Sequence, residues 1–474
     1  MSIFKKTIVA LMGLAMTHAA WSFSILGPGD AQGNPAKAWQ NRGPNAGWLI
    51  GYGFTIPGDI GGPMDLIEAY RWNTPVITYA FDESFVRFFG ENGMRAVDQA
   101  FKILNDLPTA SRMSEELDEF PLTTLRQNYE ATALSLIDLK STALSLILEE
   151  LGLAQAERWV WSIRNRDPIA GTPFAVYDVI RYNYDPVTLR LSPYVNGTLY
   201  TYRIIEVPAG AVDAPYAEAQ EELVLAGVPP NLSVTSFTPP GFFRTGLTRD
   251  DVGGLRFLLH PRNRVVETLL PGIIPGIQGW LPFLGTNFLG TNIAGNTNIV
   301  GTNNFASVGI RGGINKLTFR RVAFDSLIGG TFTPVTNAFI DHVITTNNAV
   351  ASQRVMRPIT RPDFVFAVED LLGNIAFRTD TTGWINNDPL TPEAQIGGPG
   401  VISPPITITF NMIFPIFLNQ SPSFVTEPQP GDLLGSRGFT WASYDGTTNA
   451  PVIYPEYFHY TLNDLRNAAR NAGQ

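Results

Sequence analysis

The sequence predicts an α+β domain followed by an all-β domain of antiparallel, sandwich-like strands. In the first half of the chain, apolar residues recur at three- and four-residue steps, which is typical of amphipathic helices. Residues 314–460 contain short alternating segments between Pro- and Gly-rich turns, which is typical of an antiparallel sandwich. Between the two halves, residues 271–304 are rich in Gly, Asn and Thr without a fixed period, which indicates a linker rather than a solenoid.

Composition shifts set the expected domain boundaries. The expected segments are a signal peptide over 1–24, an extended Gly- and Pro-rich entry segment over 25–64, an α+β domain over 65–265, a linker over 266–304 and a β-rich domain over 305–474. The 474 residues, 44% of them apolar, suffice for two or three domains with substantial cores.

Residues 1–24 have the pattern of a secretory signal peptide. Lys5 and Lys6 precede an apolar stretch at 7–16, and small residues in the small-x-small pattern place cleavage near Ser22 or Ser24. This stretch is too short to cross about 30 Å of hydrocarbon, and no later segment is long enough, so the sequence predicts no transmembrane helix. We therefore expect a secreted or periplasmic protein, and the absence of cysteine favours a bacterial one.

Residue types exclude several classes of chemistry. The chain has no cysteine, which excludes disulfides, thiolate metal sites and a cysteine nucleophile. Its four histidines, at 18, 260, 342 and 459, form no H-x-x-x-H pair. Lys and Arg number 33 against 42 Asp and Glu, without a basic cluster, so we expect no nucleic-acid partner.

Local periodicity predicts the elements of the first domain in order. The expected elements are a strand at 76–81, a helix from about 92 to 107, a long helix from about 123 to 151, strands at 158–163, 175–182 and 198–205, and a short helix at 247–259. Gly152 follows the long helix and is expected to end it.

The short helix has the clearest start signal. Thr248 can accept a hydrogen bond from the backbone of Asp251, whose carboxylate can reach back to form the Asp version of a capping box. Asp250 and Asp251 then lie in the first turn, where the helix dipole favours acids. A cation site at these two acids is the alternative interpretation.

In the second domain, alternation predicts strands at 316–324, 338–345, 364–368, 406–414 and 439–444, and the tail at 461–472 predicts a terminal helix.

Three segments, in this order, resemble the metzincin family of zinc peptidases, and matrixins in particular. WNTPVITYAFD at 72–82, followed by a helix with AVDQAF at 96–101, resembles the opening strand and first helix of that family. SLILEELGLAQ at 145–155 occupies the place of the active-site helix, and GLTRDDVGGLRFL at 246–258 resembles the closing helix. The resemblance implies a zincin-like fold for residues 65–265.

The zinc-binding motif of that family, H-E-x-x-H-x-x-G-x-x-H, is degenerate in this chain. Ser145 and Glu149 stand at the first two ligand positions and Gln155 at the third, while Leu146 replaces the general base and Gly152 is retained. Neither Ser145 nor Gln155 is a usual zinc ligand, and Leu146 cannot accept a proton. The resemblance therefore implies no metal, no cofactor and no catalytic residue.

We expect an exported, non-catalytic protein, a pseudo-metallopeptidase with a binding or structural role, whose partner is an unknown protein or glycan. Two alternatives stay open. A zinc peptidase of matrixin type with unusual ligands would need Glu149 and the scattered histidines to converge. A carbohydrate or cell-surface adhesion protein would bind through its β-rich half.

Overall fold

The computed structural model describes residues 22–26, 66, 71–172, 174–207, 216–223, 231–236, 238–270, 272–276, 305–326, 331–345, 347–368, 380–386, 400–410, 440–455 and 461–472. Its helices are α1 (Glu83–Asn105), α2 (Tyr129–Ala133), α3 (Leu139–Glu150), α4 (Ala156–Trp159), α5 (Arg249–Leu259) and α6 (Leu462–Ala472), with a 3-10 turn at Ala110–Arg112. Within these ranges, no helix combines the length and apolar composition that crossing a bilayer requires.

The strands of the first part of the chain are β1 (Ser24–Ile25), β2 (Val76–Phe81), β3 (Leu125–Gln127), β4 (Leu136–Asp138), β5 (Leu153–Ala154), β6 (Ser162–Pro168), β7 (Ala175–Ile180), β8 (Tyr194–Val195), β9 (Thr198–Val207), β10 (Tyr216–Leu223), β11 (Phe242–Arg244), β12 (Val265–Thr268) and β13 (Ile274–Pro275). Those after residue 305 are β14 (Val308–Arg311), β15 (Thr318–Arg321), β16 (Val335–Ile344), β17 (Val350–Ile359), β18 (Phe364–Ala367), β19 (Asp380–Asn386), β20 (Gly400–Thr409), β21 (Thr440–Ser443) and β22 (Val452–Ile453).

A five-stranded, mostly parallel sheet lies at the centre, in the order β15-β2-β18-β20-β19. β2 runs parallel to both of its neighbours, β18 runs parallel to β20, and only the pairing of β19 with β20 is antiparallel. The run VITYAF in β2 is almost entirely buried, as expected for an interior strand of a parallel sheet.

Helix α1 covers this sheet through stacked and edge-on aromatic side chains. The ring centroids of Tyr79 in β2 and Phe101 in α1 lie 3.8 Å apart, and Phe85 of α1 contacts Phe366 of β18 at 6.2 Å. Asp82 caps the start of the helix by accepting a hydrogen bond from the backbone N–H of Ser84. The helix therefore begins nearer to β2 than apolar periodicity alone predicts.

The described strands do not divide into the two domains expected from composition. β15, β18 and β20 belong to the expected second domain, yet they join β2 in one sheet and share its hydrophobic core. They are also parallel, which corrects the expected antiparallel sandwich for these three strands. Each strand expected after residue 305 overlaps an observed strand, but alternation within a strand carries no information about its partner.

A second five-stranded sheet, β12-β14-β16-β17-β13, does have antiparallel pairing. Its strands β16 and β17, each ten residues long, form a hairpin. Residues 277–304, most of the expected linker, lie outside the described residues. The same holds for the expected signal peptide up to residue 21 and for most of the entry segment.

The long helix expected over 123–151 is instead β3, α2, β4 and α3. Ser135 has a left-handed backbone conformation (φ 52°), which ends the helical run after α2. Asn128 and Asp138 cap α2 and α3 by accepting bonds from Ala131 and Ser141. β4 pairs in parallel with β21, so a contact about 300 residues away along the chain replaces the helical geometry that local periodicity favours.

Candidate functional site

Helix α3 carries Ser145, Leu146 and Glu149, the first of the positions that the sequence predicts to be a degenerate motif. The Ser145 hydroxyl donates a hydrogen bond to the backbone carbonyl of Thr235 at 3.1 Å. Leu146 is partly buried and packs against the main hydrophobic core, and Glu149 is 1% exposed. At these three positions, side chains contribute to packing and to a loop contact rather than line an open cleft.

Gly152 ends α3 and reverses the chain. Its φ of 101° lies in the left-handed region that favours glycine, and its N–H donates to the carbonyl of Glu149 at 2.9 Å. The turn sends Leu153 and Ala154 into β5, which pairs with β1. Gln155 follows as the N-cap residue of α4, without a side-chain capping bond. The glycine thus takes the helix-ending position expected from the sequence.

The loop at 231–236 connects α3 with the chain after Gly152. Besides accepting from Ser145, Thr235 donates its hydroxyl to the carbonyl of Ala154 at 3.1 Å. Throughout the described ranges, no three His, Asp or Glu side chains converge to form a possible metal site. The loop thus links Ser145 of α3 to Ala154 of β5.

The two histidines that the structure describes occupy different surroundings. His260 is the C-cap residue of α5, and its Nδ1 accepts a bond from the N–H of Arg262 at 3.0 Å. Partial burial and the neighbouring Arg262 and Arg256 lower the pKa of His260. His342 lies on β16 with its Nδ1 2.9 Å from the Ser352 hydroxyl. His18 and His459 fall outside the described residues.

The start of α5 carries the capping box expected from the sequence. The Thr248 hydroxyl caps the helix, and the Thr248 N–H donates to the Asp251 carboxylate at 2.9 Å. Asp251 also accepts from the N–H of Val234 at 3.0 Å, so the cap holds the 231–236 loop as well as the helix. Burial raises the pKa of Asp251 to about 6, against the opposing effect of the Thr248 hydrogen bonds.

Asp250 is buried beside this cap and binds two distant segments. One carboxylate oxygen accepts the backbone N–H groups of Ser22 at 3.0 Å and of Asn196 at 2.5 Å. Among the described residues, none donates a hydrogen bond to its other oxygen. Burial raises the pKa of Asp250 well above its usual range, and the nearby Asp251 and Glu157 carboxylates add to the shift.

Glu157 and Arg244 complete the buried charge cluster. Glu157 accepts hydrogen bonds from the Ser233 N–H and hydroxyl and from the Ser236 hydroxyl. Arg244 donates to the backbone carbonyls of Leu232 and Ser233 at 2.7 and 2.6 Å. Burial lowers the pKa of Arg244, while the charges of Asp251 and Glu157 oppose that shift. The Arg244 guanidinium thus lies near the buried carboxylates of Asp251 and Glu157. These two carboxylates and that of Asp250 accept hydrogen bonds from neighbouring chain segments.

Sequence reasoning missed this cluster apart from its capping box. Adjacent acids after a capping threonine indicate a helix start, and that signal is local. The partners of Asp250 lie 228 and 54 residues away in the chain, so no local signal reveals them. Within the described residues, Asp250 and Asp251 accept hydrogen bonds from backbone N–H groups. The partial positive charge of these donors stabilises a carboxylate, as a bound cation would.

Comparison of this chain with protein-family models, with curated proteins and with solved structures finds no match.

Proposed function

We propose that this protein is an exported, non-catalytic binding or structural protein of the bacterial periplasm or exterior, built on a scaffold that resembles a zinc peptidase. The observation that supports the proposal most is the set of contacts that the side chains of Ser145 and Leu146 make. The Ser145 hydroxyl is bound to the carbonyl of Thr235, and Leu146 packs against the core.

Catalysis by the zinc-peptidase route needs three protein ligands, an open coordination position and a base that accepts a proton from water. Leu146 has no group that accepts a proton, and Glu149 is buried rather than open to substrate. Gln155 at the third position is a helix N-cap residue. The residues at the motif positions thus fit a structural role better than a hydrolytic one.

A binding role is supported by apolar side chains at the surface. The β6-β7 hairpin exposes Ile169, Phe174 and Val176, with 44%, 68% and 56% of their surfaces accessible. Solvent-exposed apolar side chains that are close together are typical of interaction surfaces. A protein or glycan partner remains the expected class of ligand.

Metal analysis of the purified full-length protein tests the proposal. We expect zinc well below one equivalent, and no hydrolysis of unfolded protein substrates with or without added zinc. Stoichiometric zinc that is lost in Glu149→Gln but kept in Glu150→Gln would support the zinc-peptidase alternative and overturn the proposal. Glu150 is the matched control because it is an adjacent buried carboxylate on the same helix. Circular dichroism of both variants separates metal loss from unfolding.

The adhesion alternative requires binding to polysaccharide or to cell-envelope fractions. The full chain is the appropriate reagent, because strands from 305–474 pair with β2 and a fragment would lose those contacts. Adhesion through the β-rich half should persist in Phe174→Ser. Binding through the β6-β7 hairpin should weaken in Phe174→Ser but not in Tyr129→Ser, which changes an exposed aromatic side chain elsewhere (81% accessible). Equal binding by both variants would remove the support that the hairpin gives to a binding role.

A further inference from the structure

The segment Ser22–Leu26 is part of the folded core. All five of its residues are between 0% and 4% exposed. Its residues 22–24 belong to the expected signal peptide, and both cleavage positions expected from the sequence lie inside it. The structure therefore bears directly on where the exported chain is processed.

Backbone hydrogen bonds hold the segment along its whole length. Phe23 and Tyr184 exchange N–H to carbonyl bonds of 3.0 and 2.8 Å. Ser24 and Ile25 pair with Ala154 and Leu153 of β5. The N–H of Leu26 then donates to the carbonyl of Gly152 at 2.8 Å, which ties the segment to the turn after α3.

Side-chain contacts fix the segment against α5 and against the chain at Tyr182. The ring of Phe23 packs so closely on Gly254 that a Cβ atom there would lie 3.2 Å from its Cδ2 atom. The Ser24 hydroxyl donates to the carbonyl of Tyr182 at 2.9 Å. At the start of the segment, the N–H of Ser22 donates to the buried carboxylate of Asp250.

Cleavage at either expected position would damage this packing. Cleavage after Ser22 would remove one of the two N–H donors to Asp250, and a buried acceptor that loses a partner is costly. Cleavage after Ser24 would also remove the buried ring of Phe23 and leave a cavity beside Gly254. Both outcomes conflict with the closely packed segment in the folded protein.

We propose that the signal peptide is removed at the Ala19–Ala20 bond, so that residues 22–26 remain as the first strand of the mature protein. Hydrolysis of this bond by one water leaves a carboxylate on Ala19 of the released peptide and an amino group on Ala20. Thr17 and Ala19 then supply the small residues three and one positions before the bond. Cleavage one residue later would place His18 at the outer of these two positions. The proposal rests on the export proposed above.

Intact mass and N-terminal sequencing of the protein secreted or recovered from the periplasm of a bacterial host test it. We expect a mature chain that begins Ala20-Trp21-Ser22. A chain that begins at Phe23 or Ile25 would overturn the processing site but leave export in place. A soluble chain that retains Met1 in the cytoplasm would overturn export itself, and with it this proposal.

Two further measurements use matched variants. Ala19→Leu removes the small residue before the bond and should cause precursor to accumulate, whereas Ala20→Leu, just after the bond, should be processed normally. Normal processing of Ala19→Leu would place the site elsewhere.

Proteins produced without a signal and starting at Ala20, Phe23 or Ile25 should also differ in thermal midpoint. We expect the Phe23 chain to melt several degrees below the Ala20 chain, and the Ile25 chain to lose its cooperative transition. Equal midpoints would show that the segment is dispensable.

Discussion

Thr78 and Asp363, which are 285 residues apart in the chain, are joined by three hydrogen bonds in the buried centre of the fold. The N–H of Asp363 donates to the Thr78 hydroxyl at 3.1 Å. One carboxylate oxygen of Asp363 accepts both the N–H of Thr78 at 2.7 Å and its hydroxyl at 2.9 Å. Arg357 forms a buried ion pair with the same carboxylate and also donates to the carbonyl of Val76 at 3.2 Å. This network connects β2 to the chain that leads into β18, and so joins the two halves of the sequence.

Removal of the Asp363 carboxylate should destabilise the whole protein. Asp363→Ala leaves the buried Arg357 guanidinium without its counter-ion, and breaking a buried pair from one side costs about 3–5 kcal/mol. Urea unfolding monitored by tryptophan fluorescence measures the loss. Glu91→Ala, which removes an exposed i,i+4 partner of Arg95, should change the free energy of unfolding by less than about 0.5 kcal/mol. Equal effects of the two variants would contradict the structural role of the network.

The two halves of the chain should not fold independently. β2 lies between β15 and β18, so a fragment that ends at residue 276 would expose both edges of β2 and the aromatic face of α1. We expect separately produced fragments 22–276 and 305–474 to show no cooperative thermal transition by near-ultraviolet circular dichroism. A sharp transition in either fragment would indicate independent domains and restore the boundaries expected from composition.

Loss of the α5 cap should be costly because its partners are buried. Thr248→Ala removes the hydroxyl that caps the helix and contacts Asp251, and we expect a loss of about 2 kcal/mol, near the upper end of the range for capping residues. Thr248→Ser keeps the hydroxyl and should retain most of the stability. Chemical denaturation of both variants provides the comparison, and an equal loss in both would assign the effect to the methyl group instead.

Stability should depend on pH through the buried acids beside that cap. The pKa of Asp251 is raised to about 6 by burial, so the folded protein binds a proton that the unfolded chain releases near pH 4. This contribution to stability is fully present below about pH 4 and is lost as the pH rises toward 6. Asp250, whose pKa is also raised by burial, extends the loss to higher pH.

Asp250→Asn isolates this effect, because asparagine keeps an oxygen that can accept the N–H groups of Ser22 and Asn196 but carries no charge. Relative to the unmodified protein, we expect the variant to gain stability as the pH rises from 4 to 8, by up to about 1.4 kcal/mol per pH unit. Asp106→Asn changes an exposed carboxylate and should show no such trend. Denaturation midpoints measured across this pH range decide the matter, and a pH-independent difference for Asp250→Asn would count against the buried charge.

Much of the local structure follows from short-range patterns. The strand at Val76–Phe81 has the bounds expected from its apolar run, and the Thr248 capping box forms as its spacing predicts. Gly152 ends α3 because a left-handed residue is needed there, and glycine adopts that conformation without strain. The resemblance of residues 145–155 to a degenerate zinc-binding motif stays a prediction from residue types.

Pairing between distant segments could not be predicted in this way. Apolar steps across 123–151 are compatible with one helix, yet Leu136–Asp138 forms a strand because β21 offers backbone partners for it. Periodicity also could not show that Ser22 would bind Asp250. By itself, then, the sequence determined where the chain turns, where a helix is capped and which face of a segment is buried, because those properties depend on neighbouring residues. Only the tertiary structure decided which strands share a sheet and which buried acids meet distant N–H donors, because those contacts form between residues that are close in space but far apart in the chain.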